Sequence, residues 1–148
     1  MPASSSAAFA TNRKTCSEQY GIVNSFADFG VPFGQVIYKP TVALLYFTSA
    51  MCVAEMFAVE TSVQWFISVI IMSVILSVAT APLPGSALAS LTMLFAQLGI
   101  PAEGIAVVLA LNIVLDFLET PSDLVSGQCQ LILAANKMGL VDKEKLRK

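Results

Sequence analysis

From Thr61 to Ala102 the chain carries no charged residue. A run this long and this apolar cannot be the water-facing shell of a small soluble domain. Inside it lies Ala79-Thr80-Ala81-Pro82-Leu83-Pro84-Gly85-Ser86, where two prolines and a glycine would end any helix entering from either side. The chain must therefore bury or solvate a break in its most apolar region. Composition agrees that lipid is the surrounding medium. Only 12% of the 148 residues are charged and 56% are apolar, against about 25% charged in an ordinary soluble domain; mean hydropathy is +0.76. The expected class is an all-α integral membrane protein. A net charge of −2 gives no footing for nucleic acid. The opening "MPASSSAAFATNRK" lacks a basic stretch followed by an apolar core, so it does not read as a cleaved signal. Cys16, Cys52 and Cys129 have no metal-type spacing and no histidine accompanies them, so three free thiols are expected.

Residues 1–14 are small and polar and include Ser4, Ser5 and Ser6. Residues 15–28 read as a connection near the water interface. Residues 29–57 form an apolar segment interrupted at Tyr38-Lys39-Pro40. Its uncharged part, Thr41–Ala54, would cover about 21 Å as a helix, short of a bilayer core of about 30 Å. Residues 61–99 offer a first arm, Thr61–Thr80, about 30 Å long as a helix. A tip at 80–86 leads to a second arm, Ser86–Leu98, of about 20 Å. Unequal arms around a tight tip suit a re-entrant hairpin, whose exposed backbone groups survive in a membrane only where protein or a watery cavity covers them. The alternative is an extramembrane loop between two ordinary helices.

The segment 103–136 is apolar but carries Asn112, Asp116, Glu119, Thr120 and Asp123. Their spacings of three and four place them on one helical face. An acid at mid-membrane costs about 2.5–3.5 kcal/mol on insertion scales, so an acidic stripe points to function more than to packing. Pro121 could instead end the helix and leave Asp116 and Asp123 near a helix end in water, although Leu124–Ala135 resumes an apolar pattern. In the tail, 137–148, basic residues outnumber acidic ones, which by the positive-inside rule places the C-terminus on the cytoplasmic side of a plasma (inner) membrane.

Taken in order, these features resemble the C-terminal half of the dicarboxylate/amino acid:cation symporter family, the glutamate-transporter-like proteins. "PASSSAAFATNRK" (2–14) is similar to the tip and second arm of the family's first re-entrant hairpin. "VPFGQVIYKPTVALLY" (31–46) stands in the place of its broken seventh helix. "SVATAPLPGSALA" (77–89) looks like the second hairpin tip, and "ALNIVLDFLETPSDLVSG" (110–127) like the eighth helix. The resemblance implies a transport core of broken transmembrane helices and re-entrant hairpins. Its second tip would close over a bound solute, offering helix-end N–H groups to an anion and carbonyls to a cation.

Carried across residue by residue, the resemblance puts Ser4 and Ser5 at the solute's carboxylate and Leu83, Pro84 and Gly85 at the second tip. Asp116 and Thr120 would lie beside its amino and carboxylate groups, with Asp123 where the family usually has Asn. Glu119 takes the position that is Arg in carriers of acidic amino acids. A carboxylate there repels a side-chain carboxylate, so a small neutral or hydroxylated amino acid is favoured over aspartate. The sodium-binding break of the seventh helix, Asn-Met-Asp-Gly-Thr in the family, reads Tyr38-Lys39-Pro40-Thr41-Val42 here, and the last sodium-site Asp falls at Gly127 or Gln128. Backbone carbonyls near Ser77, Val78 and Thr80 remain as ligands for Na+, and H+ is the other coupling ion implied; no further cofactor is. Lys39 either supplies the missing cation by its own charge or extends to water from the break.

The implied function is a secondary active transporter for a small amino acid or dicarboxylate, not an enzyme. The family has further spans before the first hairpin, so the chain is expected to be a fragment, inactive without its upstream half and a homotrimer when complete. Its partners would be a small-molecule solute, the lipid bilayer and that upstream half. The alternative is a non-transporting membrane protein that assembles with or modulates a full-length relative.

Overall fold

The computed structural model describes residues 9–81 and 85–142, apart from the side chains of residues 111–113 and 116. These residues are mostly helical. A short helix α1 (Phe9–Lys14) runs into a π-helical stretch, Thr15–Gln19, and is followed by α2 (Asn24–Ile37), α3 (Pro40–Met56), α4 (Val63–Ala79), α5 (Ser86–Leu98) and α6 (Gly104–Lys137). Helix α2 begins within the segment read from sequence as a connection. Its start is fixed from outside: the Val23 N–H donates to the Leu140 carbonyl and the Asp142 N–H to Gly21, around an isolated bridge between Ile22 and Val141. Arg13 also pairs with Asp28 on the first turns of α2.

The break between α2 and α3 follows from Pro40. Proline is tolerated at the first helical position but drives the residue before it out of the helical region. Lys39 accordingly has φ −132° and ψ 62°, and Pro40 opens α3. Taken together across this break, Asn24–Met56 is the one stretch among the described residues long and apolar enough to cross a membrane. Helix α6 runs through Pro121 without ending.

Helices α4 and α5 form an antiparallel pair joined at two ends. At the open end Ser62 caps α4 by accepting from the Trp65 N–H at 3.1 Å, and the Trp65 indole donates to the Leu98 carbonyl at 2.9 Å. At the tip end the Ser86 hydroxyl donates to the Ala81 carbonyl at 2.5 Å. Gly85, which precedes α5, has φ +82°, a left-handed conformation that glycine adopts without steric cost.

Two apolar cores result. One gathers Tyr46, Ala50, Val53, Val69, Leu91, Leu94, Phe95 and Val108 between α3, α4, α5 and the start of α6. The other packs Cys16, Ile22, Ala27 and Val31 on Ala135, near the end of α6. Helix α4 is inside out by the standards of a soluble helix. Its buried residues are Val69, Ser73 and Ser77, while Ile67, Ile70, Ile71, Val74 and Ile75 face outward. Hydroxyls inside and branched aliphatics outside is the distribution expected of a helix whose surroundings are lipid or more protein.

Candidate functional site

The polar interior of the described residues converges where the chain is interrupted: the α2/α3 break, the end of α4 and the middle of α6. Lys39 projects from the break and is buried, 8% exposed. The ammonium donates to the carbonyl of Thr80, the residue that ends α4. Asp123 approaches the same break from α6, with Glu119 one helical turn before it. Asp123 also works on the break itself, its Oδ1 accepting from the Thr41 N–H at 2.9 Å. That N–H belongs to the first turn of α3, where no intrahelical acceptor is available, and Lys39 supplies no side-chain cap there. A carboxylate from a distant helix thus does the work of an N-cap.

Beside Lys39 lies a closed set of hydroxyls. Thr80 Oγ1 donates to the Leu76 carbonyl at 2.7 Å. Its lone pairs are left for Tyr46, whose hydroxyl is 2.8 Å away on α3, and for Ser90, 2.7 Å away on α5. Thr80 therefore ties three helices together through its side chain while its carbonyl holds Lys39. Ser77 is buried one turn earlier and donates to the Val74 carbonyl at 2.8 Å. Ser73, 2% exposed, has a hydroxyl that meets no hydrogen-bond partner among the described residues.

Of the site residues expected from sequence, Lys39, Thr80, Glu119 and Asp123 come together here. Thr120 is half-buried on α6, and Gly85 is exposed at the start of α5. Val78 has an outward-facing side chain, 40% exposed. Ser4, Ser5, Leu83 and Pro84 lie outside the described residues, as do the side chains of Asn112 and Asp116. Among the described residues no group of three or more His, Cys, Asp or Glu is placed to hold a metal ion. Thr41, Tyr46 and Ser90 escaped the sequence reading. Thr41 enters through its backbone N–H, and nothing near Tyr46 or Ser90 in the sequence marks their hydroxyls as partners of Thr80.

Gln128, at a position where the resemblance would place a sodium ligand, turns instead to the N-terminal segment. Its amide donates to Asn12 Oδ1 at 2.6 Å, and the Cys16 thiol meets the same oxygen at 3.6 Å. Burial pushes the Cys16 thiol above its ordinary range, so it is the inert kind of cysteine.

A family model described as the sodium:dicarboxylate symporter family matches residues 2–136. The chain is 23% identical over 128 residues to a proton/sodium-glutamate symport protein of Bacillus caldotenax, covering 86% of this chain and 30% of that protein. It is 24% identical to the proton/glutamate-aspartate symporter of Escherichia coli K12, with 86% and 29% covered. Against excitatory amino acid transporter 3 of Mus musculus it is 23% identical, with 81% and 23% covered. The chain thus spans less than a third of the length of these curated relatives. The match over nearly its whole length places it with transporters and not with enzymes: the chain belongs to the sodium:dicarboxylate symporter family.

Proposed function

We propose that this chain is the solute-binding core of a secondary carrier that moves a small neutral or hydroxylated amino acid across a membrane. The observation that carries the reading is a polar centre built at chain interruptions, Lys39 with Thr80 and Asp123 with Thr41, behind an outward face of branched aliphatics on α4. In this reading α4 and α5 are the arms of a re-entrant hairpin and Gly85 belongs to its gate. The solute lies against α6 at Asp116, Glu119 and Thr120, with Ser4 and Ser5 at its carboxylate. The curated relatives are named for glutamate or aspartate. Glu119 argues for a different side chain here, because a second carboxylate beside it is repelled.

Asp116 stands three residues before Glu119 and seven before Asp123 on the continuous helix α6, hence on the same face. A carboxylate there would pair with the solute's ammonium group. A hydrogen bond to a charged group contributes about 1.5–3 kcal/mol. Asp116→Asn in the protein that carries this sequence is therefore expected to weaken binding of labelled L-serine or L-alanine about 10- to 100-fold, measured by equilibrium binding in nanodiscs. Undiminished binding would remove Asp116 from the site. Intact binding accompanied by loss of association with a full-length relative would favour an assembly partner over a carrier.

A further inference from the structure

Resting on the reading of the chain as a carrier core, we propose that Lys39 is a built-in cation. It fills from within the chain a site that would otherwise take a small monovalent metal ion, so that the fold keeps its charge balance without sodium. The site has the parts of a cation site. The end of α4 presents a negative dipole end and the carbonyl of Thr80, and a carboxylate, Asp123 of α6, stands at the Thr41 N–H beside the same break. Carbonyl and carboxylate oxygens are the ligands that hard cations take. What stands against the Thr80 carbonyl is the Lys39 ammonium. Its placement is set by the backbone, because Pro40 keeps Lys39 out of the helical region and the side chain crosses from the break to α4. Thr80 is itself anchored on three sides through Leu76, Tyr46 and Ser90. Its carbonyl is therefore held in place whether or not a lysine is there.

While Lys39 is in place, sodium has nothing to add. When the ammonium is removed and the oxygens remain, the site opens to the ion. The test compares thermal unfolding midpoints of the protein that carries this sequence in NaCl and in choline chloride at equal ionic strength. A bound ion stabilises the folded state in proportion to the logarithm of its concentration above its dissociation constant. The wild-type midpoint is expected to be the same in both salts, and Lys39→Arg should behave likewise. Lys39→Met and Lys39→Gln should melt lower in choline and recover progressively as sodium replaces it. A wild-type midpoint that rises with sodium overturns the proposal. So does the lack of a sodium response in both neutral variants, and so does their failure to fold even in sodium, since the ion should then restore the missing charge. None of these readings needs a transported solute. A protein that moves no amino acid contradicts the carrier reading, whereas a sodium-responsive wild type contradicts this inference alone.

Discussion

Asp123→Ala is expected to lower the stability of the fold by about 2–3 kcal/mol, the upper part of the range for a hydrogen bond to a charged group. Asp123→Asn should recover at least half of that. Pro40 has no N–H, and Lys39 offers no capping side chain, so the Thr41 N–H depends on Asp123 Oδ1 at 2.9 Å. Alanine removes the acceptor and also a negative charge beside the break from which the buried Lys39 extends. Asparagine keeps an oxygen for Thr41 and loses only the charge, at a helix N-terminus where an anion contributes about 0.3–1 kcal/mol. Reversible denaturant unfolding of the three proteins reads the series directly. Equal losses for Ala and Asn would mean that charge and not capping is what Asp123 supplies. A loss below about 0.5 kcal/mol for Ala, the range of an ordinary surface substitution, would mean that the break holds itself.

Gly104→Ala should cost about 1–3 kcal/mol, the usual range for overpacking a filled core, although alanine is elsewhere the better helix former. A Cβ at Gly104 would come within 2.1 Å of Val53 Cγ1 and 3.6 Å of Phe57 Cε2. Val53 is 1% exposed in the centre of the larger core, so neither α3 nor α6 can give way without disturbing its neighbours. Small residues at helix contacts allow this kind of close approach where lipid offers no driving force between helices. Two comparisons separate the clash from other effects. Gly34 has open space where its Cβ would stand, and Gly34→Ala should be neutral or stabilising. Val53→Ala removes the methyl group that the new Cβ meets, so the double variant should be less destabilised than the sum of the two single losses. Strict additivity would show that the two helices are not in contact at this point.

Much of the architecture is written in local chemistry. The interruption ahead of Pro40 is readable because a residue before proline leaves the helical region whatever the tertiary context. The end of α4 is readable because no helix continues into Pro82-Leu83-Pro84-Gly85. The shared face of Glu119 and Asp123 follows from helical spacing alone. Other features depend on contacts that spacing does not encode. The start of α2 at Asn24 rests on hydrogen bonds to Leu140 and Asp142 at the far end of the chain, and local sequence carries no trace of that pairing. Pro121 is compatible with either a helix end or a continuing helix, and only the surroundings decide between them; here α6 continues. Lys39 was equally open, since a lysine at a break can extend to water as readily as turn inward. The deciding element is the Thr80 carbonyl, 41 residues further along the chain. Thr41, Tyr46 and Ser90 are ordinary residues in their own windows and gain meaning only through Asp123 and Thr80.

The central claim is that this polar centre belongs to a carrier of a small amino acid without an acidic side chain. The most direct measurement is uptake of labelled L-serine into proteoliposomes containing the protein that carries this sequence, in competition with unlabelled L-serine, L-alanine and L-aspartate. The account predicts saturable uptake that serine or alanine displaces at least about tenfold better than aspartate, a difference of about 1.4 kcal/mol in binding. Uptake displaced best by aspartate, or no uptake of any of the three, would contradict it.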